Sequence, residues 1–97
     1  MRAVQITPEA KADLVAIADY ISKDNRTAAI RMIDAFEECF HRLANLPEIG
    51  HRRSDVTDEQ YRFWNVRSYV IGYGFDDATV TIVRVVHGAR DMRKLLR

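Results

Sequence analysis

Tyr61-Arg62-Phe63-Trp64, then Tyr69-Val70-Ile71-Gly72-Tyr73, then Val80-Thr81-Ile82-Val83-Arg84-Val85-Val86-His87-Gly88-Ala89-Arg90-Asp91 are the stretches that decide the fold of this chain. Each is dense in aromatic and β-branched residues, the side chains that suit a pleated, half-buried surface. Turn chemistry separates them, weak at Arg67-Ser68 and stronger at Asp76-Asp77. Parallel neighbours need a long crossover, so three consecutive strands joined this tightly pair antiparallel, as a meander.

Working back towards the N-terminus, Val4-Gln5-Ile6 alternates as a short first strand. Thr7-Pro8-Glu9 reads as a helix start: Thr7 can cap, Pro8 suits the first helical position, and Glu9 favours the positive helix end. Ala10, Leu14, Ile17, Ala18 and Ile21 follow at spacings of three and four, giving one apolar stripe. Ser22-Lys23-Asp24-Asn25 interrupts it, and Asp24 or Asn25 can cap a second helix. That helix carries Ala29, Ile33, Phe36, Phe40 and Leu43 in a seam, until Pro47 and Gly50 stop it. Two amphipathic helices on so short a turn form an antiparallel hairpin. Residues 50–60, with His51, Arg52, Arg53, Ser54, Asp55, Asp58 and Glu59, read as a polar surface loop. The expected fold is α+β, in the order β-α-α-β-β-β, with the helical hairpin covering one face of a mainly antiparallel sheet. A short C-terminal helix over residues 89–97 would put Met92, Leu95 and Leu96 on one side.

Ninety-seven residues make one compact domain, 1–97, and are too few for two. An apolar fraction of 47% with 30% charged residues argues against disorder. The single cysteine, Cys39, cannot close an internal disulfide and falls in the apolar spacing of the second helix, where it reads as a core residue. Glu9, Lys11, Asp13 and Asp19 exclude a signal peptide, and no apolar run reaches the ~20 residues of a membrane span. The expected location is therefore the cytoplasm. Net charge is +1, and arginine outnumbers lysine twelve to three. That bias suits an anionic or protein partner, although a GC-rich genome produces it too.

No metal site is legible, because His41, His51 and His87 are scattered and Cys39 has no second thiolate at ligand spacing. The glycines at 50, 72, 74 and 88 fall singly, so no phosphate-cradling loop exists and no cofactor is expected. One chemistry survives, general acid/base cleavage of RNA. It needs a proton acceptor, a proton donor and a cation for the developing phosphorane. Arg62, Arg84, His87 and Arg90 are the candidates, with Tyr69 or Tyr73 as a stacking or proton-donating group. Against it stands a plainer reading: His87 at a strand end beside Gly88 satisfies backbone groups, and Arg90-Asp91 is a local ion pair. Phe63, Trp64 and Phe75 read as core or interface. The tail Arg90, Arg93, Lys94 and Arg97 with its apolar neighbours is either a cationic surface for a partner or a solvated end.

The chain resembles the ParE branch of the RelE/ParE toxin superfamily over nearly its whole length. The likeness rests on Pro8-Glu9-Ala10-Lys11-Ala12-Asp13-Leu14 with Ile17 and Tyr20-Ile21, and on Leu46-Pro47-Glu48-Ile49-Gly50 with Arg53. It continues through Arg62-Phe63-Trp64 with Val66, Ser68-Tyr69-Val70-Ile71 with Tyr73, and the final run from Ile82 to Asp91. The resemblance implies a toxin that blocks DNA gyrase and is neutralised by a ParD-like antitoxin whose C-terminal segment wraps it. RelE-like relatives cut messenger RNA on the ribosome instead. Those nucleases carry a basic residue after the tyrosine opening the third strand, where this chain has Val70. They also carry a tyrosine shortly after the Gly-x-Arg signature, and residues 92–97 contain none. A gyrase inhibitor without chemistry of its own is therefore the expected function. A ribosome-dependent endonuclease and a nontoxic regulatory subunit are the alternatives. Target contact is expected at Arg84, Arg90, Arg93, Lys94 and Arg97, and antitoxin contact at Phe63, Trp64, Tyr69 and Tyr73. No direct sequence-specific nucleic-acid binding and no membrane contact are expected.

Overall fold

The structure is a computed structural model that describes residues 1–52 and 61–88. Strand β1 (Ala3–Ile6) leads into helices α1 (Pro8–Ser22) and α2 (Arg26–Asn45). A single 3-10 turn at Pro47–Ile49 follows, then β2 (His51–Arg52), β3 (Arg62–Val66), β4 (Tyr69–Phe75) and β5 (Thr79–His87). The expected order of helices and strands holds, in an α+β fold. Two features were not legible in the sequence. The stretch expected to be loop from residue 50 contributes β2, which pairs antiparallel with β3 through His51 and Arg52. The sheet therefore has five strands, in the order β1-β5-β4-β3-β2, with β1 parallel to β5 and every other pair antiparallel.

The caps form as the sequence predicts. The Thr7 hydroxyl accepts the Ala10 N–H at 3.1 Å, and Pro8 sits at the start of α1. Asn25, and not Asp24, caps α2 by accepting the Ala28 N–H at 3.0 Å. Each such cap contributes about 1 kcal/mol to its helix. The buried face of α2 is turned slightly from the expected seam: Met32, Phe36, Phe40 and Leu43 are buried, whereas Ile33 is only partly so. Met32 faces the sheet, with its sulfur 3.9 Å from Arg67 Nη1. One helix thus has to serve two neighbours, α1 and the sheet, so its apolar surface is wider than a single stripe. These side chains meet Val66, Ile71, Tyr73, Val80, Ile82 and Val85 in the main core. Cys39 is half-buried at its edge, and desolvation raises its thiol pKa, the Trp64 side chain opposing by hydrogen bonding.

The two hairpin turns are built differently. At the β4–β5 turn, the Asp76 carboxylate accepts both the Ala78 and Thr79 N–H groups at 2.8 Å. At the β3–β4 turn, Arg67 adopts φ 55°, a left-handed conformation that glycine or asparagine usually fills. An arginine there is why that turn signals so weakly in the sequence. Between β4 and β5 the register slips: Gly72 opposes Arg84 but Tyr73 opposes Ile82, leaving Val83 as an extra residue in β5.

Candidate functional site

The bulge at Val83 is where α1 is fastened to the sheet. The Thr7 hydroxyl that caps α1 also donates to the Val83 carbonyl at 2.9 Å, so a single side chain serves both. One turn and a half further along α1, Asp13 accepts Arg84 Nε at 2.8 Å and Nη2 at 2.9 Å, and its Oδ2 also takes the Val85 N–H at 2.9 Å. Such a forked carboxylate–guanidinium pair is geometrically specific as well as strong. Arg84 is therefore a strut between α1 and β5, and its guanidinium is already held. Nothing in the sequence flags Asp13, because its partner lies 71 residues away.

A second knot ties the turn after α2 to the middle of the sheet at Tyr73, next to the β4 residue that opposes Arg84. Tyr73 is wholly buried; its hydroxyl donates to the Pro47 carbonyl at 2.6 Å and accepts the Gly50 N–H at 2.9 Å. Burial raises the phenol pKa, while the Gly50 N–H and the nearby Arg62 charge pull it back. A Cβ on residue 50 would collide with the Tyr73 ring, which gives Gly50 its steric reason. Arg62 Nη1 donates to the carbonyls of Glu48 and Gly50 at 3.2 and 3.1 Å. Its guanidinium also lies 5.9 Å from the Phe75 ring centroid, and that of Arg2 lies 5.6 Å from it.

These placements redraw the expected sites. Arg62 pairs across from Tyr73, whereas His87 pairs across from Tyr69. The two tyrosines are four positions apart on β4, about 13 Å at ordinary strand rise. Arg62 and His87 thus lie at opposite ends of the sheet, and Arg62, Arg84 and His87 do not converge on one reacting atom. His87 also departs from expectation: it satisfies no backbone group through Nδ1, which is buried without a hydrogen-bond partner among the described residues. Its ring meets the Tyr69 ring edge-on at 5.5 Å, and Tyr69 in turn meets Phe36 at 5.6 Å.

The four aromatics expected at the antitoxin contact do not share a surface. Strand alternation sends Phe63 to the sheet face away from the helices, where it is buried with Val70 and Val86. Trp64, Tyr69 and Tyr73 point the other way into the main core. Tyr73 has no exposed surface, so the expectation that it touches a partner is corrected to a structural role. Trp64 and Tyr69 remain half-exposed, Trp64 stacked on His51 at 6.2 Å. Arg90, Arg93, Lys94 and Arg97, and the final helix, lie outside the described residues. Among the described residues no cluster of His, Cys, Asp and Glu could hold a metal, and no helix is long and apolar enough to cross a membrane.

The site is thus a helical hairpin bolted to a meander, with Arg62 and Arg84 committed to internal bonds. Against known proteins, residues 4–92 match the family model described as the ParE toxin of type II toxin–antitoxin systems, parDE. The chain belongs to the ParE toxin family, the toxin component of type II toxin–antitoxin systems. It is similar to Toxin RelE2 of Caulobacter vibrioides, 39% identical over 90 residues that cover 93% of this chain and 99% of the relative. Toxin RelE3 of the same organism is 29% identical over 87 residues, 90% of this chain and 95% of that one. In fold it is similar to a chain of the solved chromosomal ParDE TA system from P. aeruginosa, with a TM-score of 0.72 and 20% identity, covering 90% and 96% of the two chains.

Proposed function

We propose that this toxin arrests growth by binding DNA gyrase stoichiometrically, without chemistry of its own, and that a ParD-like antitoxin neutralises it. The observation that carries the reading is the commitment of the candidate catalytic cations. Arg62 is spent on backbone carbonyls and Arg84 on Asp13, while His87 lies towards the other end of β4, opposite Tyr69. Phosphoryl chemistry needs its acid, base and cation within hydrogen-bond reach of one substrate. The tail cations Arg90, Arg93, Lys94 and Arg97 are the charges this reading assigns to the target. A ParE family membership and a solved ParDE neighbour support the antitoxin.

A second reading, cleavage of messenger RNA on the ribosome, is favoured by one feature, the unbonded His87 nitrogen against Tyr69. It also has two curated relatives that carry RelE names. The two readings separate when the chain is induced alone and DNA breaks and messenger integrity are followed together. Gyrase binding gives double-strand breaks with intact messages. Codon-positioned message cleavage without breaks would overturn it, and unaffected growth would point to a nontoxic regulatory subunit.

A further inference from the structure

The helical hairpin shows the solvent an apolar face that its own chain leaves bare. Val15 of α1 and Ile30 of α2 are 61% and 57% exposed, although both are large apolar side chains. Between the helices runs a groove of about 320 Å³, lined by Ala18, Ala29, Ile30 and Ile33 together with Arg26 and Asp34. The charges on this face are ordered. Arg26, Ile30 and Asp34 follow at intervals of four on α2 and so lie in one row. The cation stands about 6 Å to one side of Ile30 along the helix and the carboxylate about 6 Å to the other. Both are exposed, and neither has an ion-pair partner among the described residues. Beyond them, exposed Glu37 lies as many positions after Ile30 as exposed Lys23 lies before it. A row that reads plus, apolar, minus about its centre is complementary to itself turned end for end.

We propose that two copies of the chain meet on this face, α2 crossing α2 antiparallel about a two-fold axis at Ile30. Arg26 then faces Asp34 of the second copy while Asp34 faces its Arg26, so the symmetry makes each ion pair twice. A parallel crossing would set Arg26 beside Arg26 and Asp34 beside Asp34, which like-charge repulsion disfavours. Ile30 leaves water against Ile30 and Ile33 of the second copy, and Val15 covers the flank. With 20 residues α2 is about 30 Å long, and with α1 beside it the face is about 20 Å wide, about 600 Å² per copy. Twice that, about 1,200 Å², is the lower limit of a specific, stable interface, so the dimer is a weak one that forms at micromolar chain concentrations. It needs neither the gyrase nor the antitoxin reading.

Sedimentation equilibrium of the purified full chain tests this. Between about 1 and about 100 µM the chain is expected to pass from monomer to dimer. Arg26→Asp leaves two carboxylates at every pairing position and Asp34→Arg leaves two guanidiniums, so each variant alone is expected to dimerise about tenfold more weakly at low salt. Mixed in equal amounts, the two variants are expected to regain the parental affinity within about threefold, because the carboxylates of one then face the guanidiniums of the other at both pairs. Only a two-fold antiparallel crossing gives that rescue. Ile30→Asp sets two carboxylates on the axis and is expected to abolish the dimer while the thermal melt of the fold stays in place, since Ile30 is exposed in the monomer. A chain that is monomeric throughout the range overturns the proposal. So does a dimer that Ile30→Asp leaves unchanged, or a mixture that associates no better than its components. If the chain stays monomeric and the product of the small reading frame beside its gene slows hydrogen exchange around Ile30, the face belongs to that product and not to a second copy. Should either charge variant fail to fold, the concentration series and Ile30→Asp still decide.

Discussion

The Tyr73 hydroxyl and the Pro47 carbonyl, 26 residues apart in sequence, are joined by a 2.6 Å hydrogen bond inside the protein. Together with the Gly50 N–H, this bond pins the turn after α2 to the middle of the sheet. Tyr73→Phe removes both bonds at once and leaves a buried donor and acceptor unsatisfied. The expected loss is about 1–3 kcal/mol, read from urea denaturation midpoints. Gly50→Ala, which forces the same ring to move, is expected to cost about as much. A double variant should then lose less than the sum, because both changes break one contact.

Arg67→Gly acts in the opposite direction. Arg67 holds φ 55° at a two-residue hairpin turn, where a side chain crowds the backbone. Glycine there is expected to raise stability by about 1 kcal/mol despite its greater freedom in the unfolded chain. An unchanged or lower denaturation midpoint would show that the Arg67 contact to Met32 matters more than its backbone geometry.

Asp76 gives stability an acid dependence. The Ala78 and Thr79 N–H groups hold its carboxyl pKa below the ordinary value of 3.8, with a smaller contribution from Arg2. A depressed folded-state pKa means that the turn's contribution is complete above the unfolded value and disappears as pH falls through the folded one. Asp76→Ala is thus expected to be less stable than the parent at pH 7. The two should converge as the pH is lowered below 3.8, in denaturation curves measured across that range.

Deleting residues 90–97 is expected to abolish growth arrest while leaving antitoxin binding in place. The deletion removes Arg90, Arg93, Lys94 and Arg97 together with Asp91. It should cost less stability than Phe36→Ala, for which roughly 3–5 kcal/mol is typical of a buried phenylalanine. A folded, truncated chain that still arrests growth would remove the tail from the target surface. His87→Ala, by contrast, is expected to leave growth arrest intact; its loss with fold and partner binding preserved would restore the nuclease reading.

The elements were legible because each announced itself locally. Thr7-Pro8-Glu9 and Asn25 have capping chemistry, and the strands carry their aromatic and β-branched runs. What stayed hidden depends on partners distant in sequence. β2 has only two residues and no pattern of its own; pairing with β3 makes it a strand. The bulge at Val83 shifts which side chains of β5 share a face, and no period-two count along that strand anticipates it. The partners of Arg62 and Arg84 stay hidden for a related reason. A cation in a motif looks available until the carbonyl or carboxylate that holds it is placed beside it, as Asp13 is beside Arg84. Phe63 and Trp64, both expected at the antitoxin contact, face opposite ways because they are neighbours along a strand.

The parallel pairing of β1 with β5 has a consequence for when this toxin comes into being. Val4 finds Val80 only after most of the chain has been synthesised, while α1 and α2 can meet as soon as their own hairpin emerges. On the ribosome the first strand has to wait for the last. A prematurely ended product lacks the partner that β1 needs, and with it Val83 and Arg84, the anchors of α1. Closure of the sheet at its β1 edge therefore waits until β5 has been made.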